Sequence, residues 1–225
     1  MKHILLLSVV ITILSVAVNS GMGLKPKEGP SFTNDIVELL MEERDTVAWF
    51  NKAIPFVLKH EGDKFVNDTA INEVSRRGIT FSTYKRHYGR GTWNSIVNLT
   101  EDEATEIYKS LFWDENNLDS ITSLGFVSTA IVLMDSEINL GSYRANKFFQ
   151  DIIGVPREDR NGKIDEKTLM VLKDTKMSDK EVYKKLIAYR RNYYSRLVKK
   201  REVFSKYHKG WNNRLDAMLA YVEEM

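Results

Sequence analysis

At 225 residues and 43 % hydrophobic content, the chain is long enough for one large domain or two small ones, and too apolar for wholesale disorder. A net charge of +2, from 33 basic and 31 acidic residues, lacks the basic excess of a dedicated nucleic-acid binder, so no nucleic-acid partner is expected. The absence of cysteine excludes disulfides, thiolate metal sites, cysteine nucleophiles and a lipid anchor on an N-terminal Cys. The four histidines (His3, His60, His87, His208) show no ligand spacing, so neither a metal nor a cofactor is expected.

The chain opens with Lys2, then an almost unbroken apolar run from Ile4 to Val18, then Asn19-Ser20-Gly21. This is the order of a secretory signal, and the run is short of the about 20 apolar residues a membrane span needs. Asn19 is not a small residue, so a cleaved signal and an uncleaved signal-anchor both fit. Either places the rest of the chain in the periplasm or outside the cell. Residues 21–31, rich in Gly, Pro and Lys, read as a linker.

Beyond the linker the pattern is helical. Thr33 or Asn34 can cap a helix through Ile36, Leu39, Leu40 and Met41. A second spans about Thr46 to His60, with Val47, Phe50, Ile54, Val57 and Leu58 near helical spacing and Pro55 as a kink. From Asp63 to Thr80 apolar residues are isolated, and a loop with a short β-ribbon is expected. Helices resume at Phe81. Thr100-Glu101-Asp102-Glu103 is a capping box. Ile121 to Leu133 reads as a central core helix. Gly141 breaks the chain before a helix with Ala145, Phe148, Phe149 and Ile152. Asp165 can cap the next, Ser178-Asp179-Lys180-Glu181 is a second capping box, and a last helix follows Gly210. The fold class is all-α with one small β-ribbon.

Glu61 stands out. It ends an apolar helical stretch (Ala53-Ile54-Pro55-Phe56-Val57-Leu58) and precedes Gly62 and a polar turn. A carboxyl half in an apolar wall and half in a cleft keeps its proton near neutral pH, as the acid of glycosidic cleavage requires. An isolated Glu-Gly pair is equally the solvent-exposed end of a helix.

Glu61-Gly62, Val66-Asn67-Asp68, Gly78-Ile79-Thr80, Thr83-Tyr84 and Phe112-Trp113-Asp114 fall in one order. That order resembles the glycoside hydrolase family 108 lysozymes, which are N-acetylmuramidases with a lysozyme-like helical fold. Asp135, Ile138-Asn139, Gly141, Arg144-Ala145, Phe149-Gln150, Gly154-Val155, Asn161 to Leu169 and Lys209-Gly210-Trp211-Asn212-Asn213-Arg214 resemble the predicted peptidoglycan-binding region that accompanies the family. The resemblance covers about Phe50 to Asp216. It departs where Asp63 replaces a second Gly, one extra residue precedes Val66, and a Gly-rich segment is reduced to Ile71–Arg76.

After the signal (1–20, cleaved or retained as an anchor) and the linker (21–31), the resemblance implies a lysozyme-like catalytic region (32–118) and a helical peptidoglycan-binding region (119–225) packed against it. It implies Glu61 as general acid, Asp68 as the first candidate for a second group with Asp63 and Glu73 next, and Thr80 as a hydroxyl that orients a water. Asn67, Tyr84 and Asn139 become candidate substrate contacts, and peptidoglycan glycan strands the partner, with inner-membrane association through the N-terminal apolar segment. Each has a plainer reading. Asn67-Asp68 is equally a turn, Thr80 equally a helix cap, Asn139 and Arg144 ties between a loop and a helix, and Trp211 a core anchor. The altered loop leaves a non-catalytic peptidoglycan-binding or structural envelope protein as the alternative. The basic run from Lys184 to Lys209, interleaved with Tyr183, Tyr189, Tyr193 and Tyr194, reads as a solvated face with tyrosines turned inward, or as a surface for anionic polymer or lipid.

Overall fold

The computed structural model describes residues 48–68 and 73–225. The N-terminal apolar segment, the linker, the helix expected over Ile36–Met41 and residues 69–72 lie outside the described residues.

Helix α1 covers residues 48–61 and buries Phe50, Ala53, Ile54, Phe56 and Val57. It continues through Pro55. Pro55 and Asn51, whose carbonyl loses its N–H partner, are both exposed, so water can satisfy the orphaned acceptor. Gly62, at φ 65, ends the helix in the left-handed conformation and its N–H donates to the Leu58 carbonyl at 2.9 Å.

Three short antiparallel strands follow, β1 (Val66–Asp68), β2 (Glu73–Arg76) and β3 (Ile79–Thr80), in the order β1-β2-β3. The expected ribbon is therefore a three-stranded sheet. Val66 faces Ser75, Ser75 faces Thr80 and Asp68 faces Glu73. Arg77 (φ 52) and Gly78 (φ 74) form the two-residue turn between β2 and β3, and positive φ at both is the signature of a type I′ hairpin.

Helices α2 (Phe81–Tyr88), α3 (Trp93–Val97) and α4 (Glu101–Tyr108) come next. The Thr100–Glu103 capping box forms as expected, with Glu103 N–H donating to Thr100 Oγ1 at 3.2 Å and Thr100 N–H to Glu103 Oε2 at 2.9 Å. A π-helical turn, Lys109–Asp114, turns Trp113 fully into the core.

The apolar run from Ile121 to Leu133 is two helices, α5 (Leu118–Ser123) and α6 (Val127–Leu140), where the sequence expects one. Gly125 at φ 85 permits the break. Its N–H bonds the Thr122 carbonyl and Phe126 N–H bonds the Ile121 carbonyl, a Schellman pair that ends α5. All of Thr129 to Glu137 is buried, which makes α6 the central helix.

Around α6 pack α7 (Ser142–Ile153), α9 (Asp179–Lys200) and α10 (Ser205–Glu223), while α8 (Glu166–Asp174) packs against α5 and α7. Asp165 caps α8 and the Ser178–Glu181 box opens α9, both as expected. The Asp179 carboxylate caps α6 in turn, accepting from the backbone N–H groups of Ser128 and Thr129, each at 2.9 Å. Helix α10 starts before Gly210 and runs through it, where the sequence expects a start after it. One continuous core, from Phe50 to Val222, joins α1, β3 and α4 to the helices around α6.

Candidate active site

Glu61 is the last residue of α1, and its side chain is 20 % exposed. Its Oε1 accepts a hydrogen bond from Arg214 Nη1 at 2.8 Å. The other oxygen lies over the hairpin turn, so closely that a Cβ on Gly78 would stand 2.7 Å from it. The Tyr108 hydroxyl closes the same corner and donates to the Arg77 carbonyl at 2.8 Å. Burial pushes the Tyr108 hydroxyl well up, and the negative charge of Glu61 adds to this, so the phenol stays a neutral donor. The hydrocarbon wall expected beside Glu61 is thus replaced by a guanidinium, a phenol and a glycine turn.

Arg214 projects from α10. Its Nε and Nη2 donate to Asp135 Oδ1 at 2.9 and 2.7 Å, and Asp135 Oδ2 accepts from Arg190 Nη1 at 2.8 Å. Asp135 and Arg190 are both 0 % exposed. Glu61, Arg214, Asp135 and Arg190 therefore form a line of alternating charge that runs from the surface into the core. Burial by itself would raise the Asp135 carboxyl, but the Arg190 and Arg214 guanidiniums outweigh it and hold Asp135 below the usual carboxylate range. Burial likewise lowers Arg214, and Asp135 and Glu61 together more than offset this, so its proton is held more tightly than usual.

The other residues singled out from the sequence are dispersed around this line. Asn67 and Asp68 sit exposed on β1. Thr80 is on β3, two strand spacings or about 10 Å away across the sheet. Its Oγ1 accepts from Thr83 N–H at 3.1 Å and so caps α2. Glu73 supports the same helix start, accepting from Phe81 N–H at 3.0 Å. Asp63 is held by Arg76, whose Nε and Nη2 lie 2.8 and 3.2 Å away, and by Arg77, and these cations lower its carboxyl. Tyr84 is half-buried against Tyr88 and Gly91. Asn139 donates to the Asp135 carbonyl at 2.7 Å, one turn along α6 from the buried carboxylate. Trp211 stacks on Tyr194 with ring centroids 4.7 Å apart.

Asp135 and Arg214 were not singled out as site residues in the sequence, although both stand inside motifs that carry the resemblance. Arg190 was read there as part of a solvated basic face, and its complete burial corrects that reading. Among the described residues no group of three or more His, Asp or Glu side chains could hold a metal ion.

Residues 54–141 match the model of the glycosyl hydrolase 108 family, and residues 144–216 match that of a predicted peptidoglycan domain. Among solved structures the chain is similar to SagA of Brucella abortus, with a TM-score of 0.63 at 28 % identity, over 78 % of this chain and 94 % of SagA. No curated protein matches the chain. Glu61 lies in the first matched segment and Arg214 in the second, so the site draws on both. With its hydrolase and peptidoglycan segments folded around one core, the chain carries a glycosyl hydrolase 108 domain beside a predicted peptidoglycan domain and is a glycoside hydrolase that acts on peptidoglycan.

Proposed function

We propose that the protein is an exported N-acetylmuramidase in which Glu61 protonates the glycosidic oxygen between N-acetylmuramic acid and N-acetylglucosamine. The observation that carries this reading is the setting of Glu61. It is a partly exposed carboxylate at the end of a buried helix, oriented by a guanidinium that is itself anchored in the core. Arg214 makes one bond to Glu61 and two to Asp135, so it is held from below and positions Glu61 without fully enclosing it. The glycine turn lets Oε2 seat closely against the hairpin, where any Cβ at Gly78 would stand 2.7 Å from it.

As the bond breaks, positive charge develops on the sugar ring, and an anion or an oriented water lowers that barrier. Asp68, on the exposed strand β1, is the proposed second group. Thr80 is the proposed hydroxyl for orienting a water, alongside its role as a cap. Asn67, Tyr84 and Asn139 are proposed to shape the site around the glycan.

The test is direct. Residues from about Leu24 onward are incubated with peptidoglycan sacculi beside the Glu61→Gln form. Release of muropeptides with reducing N-acetylmuramic acid ends by the parent, and not by the variant, supports the reading. Release by both removes Glu61 from the mechanism.

We further propose that the apolar segment Ile4–Val18 exports the chain to the periplasm or beyond, as a cleaved signal or as an inner-membrane anchor. No helix among the described residues is long and apolar enough to cross a membrane. The intact mass of the protein recovered from the envelope distinguishes the two forms, and recovery only from the cytosol overturns both.

A further inference from the structure

On the face formed by α7, α9 and the loop after α7, a cleft of about 440 Å³ is lined by aromatic and basic side chains. Tyr143 stands at its edge, 64 % exposed, and also lines a second depression of about 480 Å³ together with Arg144. An exposed ring of this kind is normally loose, but this one is seated. It lies against the Cα of Gly162, where any Cβ would collide with it, and Lys147 Nζ stands 3.3 Å from its hydroxyl. Gly162 has φ +74, so the turn that carries it favours glycine for a second reason.

The charge of the cleft is one-sided. Its single carboxylate, Asp151, is already paired with Arg160 and accepts from the Tyr189 hydroxyl at 2.8 Å. Arg144, Lys147 and Arg157 line the same cleft, and none of them has a carboxylate within ion-pair distance among the described residues. Arg144 lies over the Tyr193 ring, 5.2 Å from its centroid, and its Nη1 donates to the Leu140 carbonyl at 3.2 Å. A chain whose charges are otherwise balanced thus gathers three uncompensated cations around a held aromatic face.

We infer that this cleft is a second peptidoglycan site, in which Tyr143 stacks on the apolar face of a sugar and Arg144, Lys147 and Arg157 take the carboxylates of the attached stem peptide. Aromatic rings with a polar tip suit such amphipathic ligands, and guanidinium groups match carboxylates in two-bonded geometry. The inference rests on peptidoglycan being the substrate and not on the role of Glu61. The cleft lies in the segment matched to the predicted peptidoglycan domain and gives that segment a binding surface of its own.

The test uses the full chain carrying Glu61→Gln, incubated with intact sacculi and with sacculi stripped of stem peptides by an amidase. Tyr143→Ala, and separately Arg144→Gln with Arg157→Gln, are added to that background. Each is expected to weaken retention on intact sacculi by about tenfold, the scale of one lost stacking or charge contact. On stripped sacculi the parent is expected to bind as weakly as the double glutamine form. Equal retention of parent and variants on intact sacculi overturns the proposal, as does a parent that binds neither material, or one that binds both equally well. Muropeptides in the supernatant report separately on Glu61, so a failure of the acid assignment is visible without affecting the binding result. The arginines are exposed, and the double glutamine form gives the answer if Tyr143→Ala fails to fold.

Discussion

Arg214 donates to Glu61 at 2.8 Å from 153 residues further along the chain, and the same guanidinium holds the buried carboxylate of Asp135. The peptidoglycan segment therefore contributes a side chain that contacts the hydrolase segment's candidate acid.

Arg214→Lys should expose this dependence. A lysine is a single point donor and cannot reach Glu61 and Asp135 through separate edges as the guanidinium does. Loss of the positioning bond is expected to lower kcat on sacculi by about 10²-fold, with little change in KM. Initial rates over a range of substrate concentrations measure this, and an unchanged kcat would remove the positioning role.

Gly78→Ala tests the turn beneath Glu61. The new Cβ would meet Glu61 Oε2 at 2.7 Å and would also strike the Tyr108 hydroxyl, at a residue with φ +74. Left-handed backbone alone costs an L-residue roughly 1–2 kcal/mol, and the collision adds to it. The variant should melt at lower temperature and lose most of its activity. Retention of full activity would mean that Glu61 does not act from the position seen here.

Asp135→Asn removes the charge between two guanidiniums. With Arg190 wholly buried, stranding it is expected to cost about 3–5 kcal/mol, measured by urea unfolding at pH 7. Because the native carboxyl is held below its ordinary value of 3.8, its contribution is present above that pH and disappears as acid titrates the folded state. The difference between parent and variant should therefore shrink below about pH 4, a range read from the ordinary value. A constant difference would assign the cost to packing instead.

Glu137 should behave in the opposite sense. It is enclosed on α6, and burial raises its carboxyl well above the ordinary 4.5, with the nearby Asn146 amide pulling the other way. Below 4.5 both folded and unfolded chains carry the proton. Above it the unfolded chain releases the proton while the folded chain keeps it, so this group costs stability at about 1.4 kcal/mol per pH unit until the folded value is reached. Glu137→Gln removes that slope and should be more stable than the parent at pH 7. Parallel melting curves for the two between pH 4 and 8 would refute this.

What was readable in the sequence follows the range of the forces involved. The caps at Thr100, Asp165 and Ser178 were legible because each bond joins residues three apart. The end of α1 at Glu61 was legible from an apolar stretch followed by Gly62. The break at Gly125 was not, because apolar residues continue on both sides and only the left-handed glycine and its two closing bonds interrupt them. The surroundings of Glu61 were misread for the same reason. The helical stretch before it, Ala53 to Leu58, is apolar, whereas its neighbour in space is a cation from α10.

The sequence by itself determined the helical fold, the small sheet, the candidate acid at Glu61 and the likeness to a peptidoglycan hydrolase, since periodicity, capping and ordered motifs are local properties. Only the tertiary structure decided that Arg190 is buried, that Asp135 binds two guanidiniums, and that one of these reaches Glu61. The choice between a solvated charge and a buried pair depends on which partner the folded chain brings within about 3 Å, and residues 135, 190 and 214 meet only when α6, α9 and α10 close around one core.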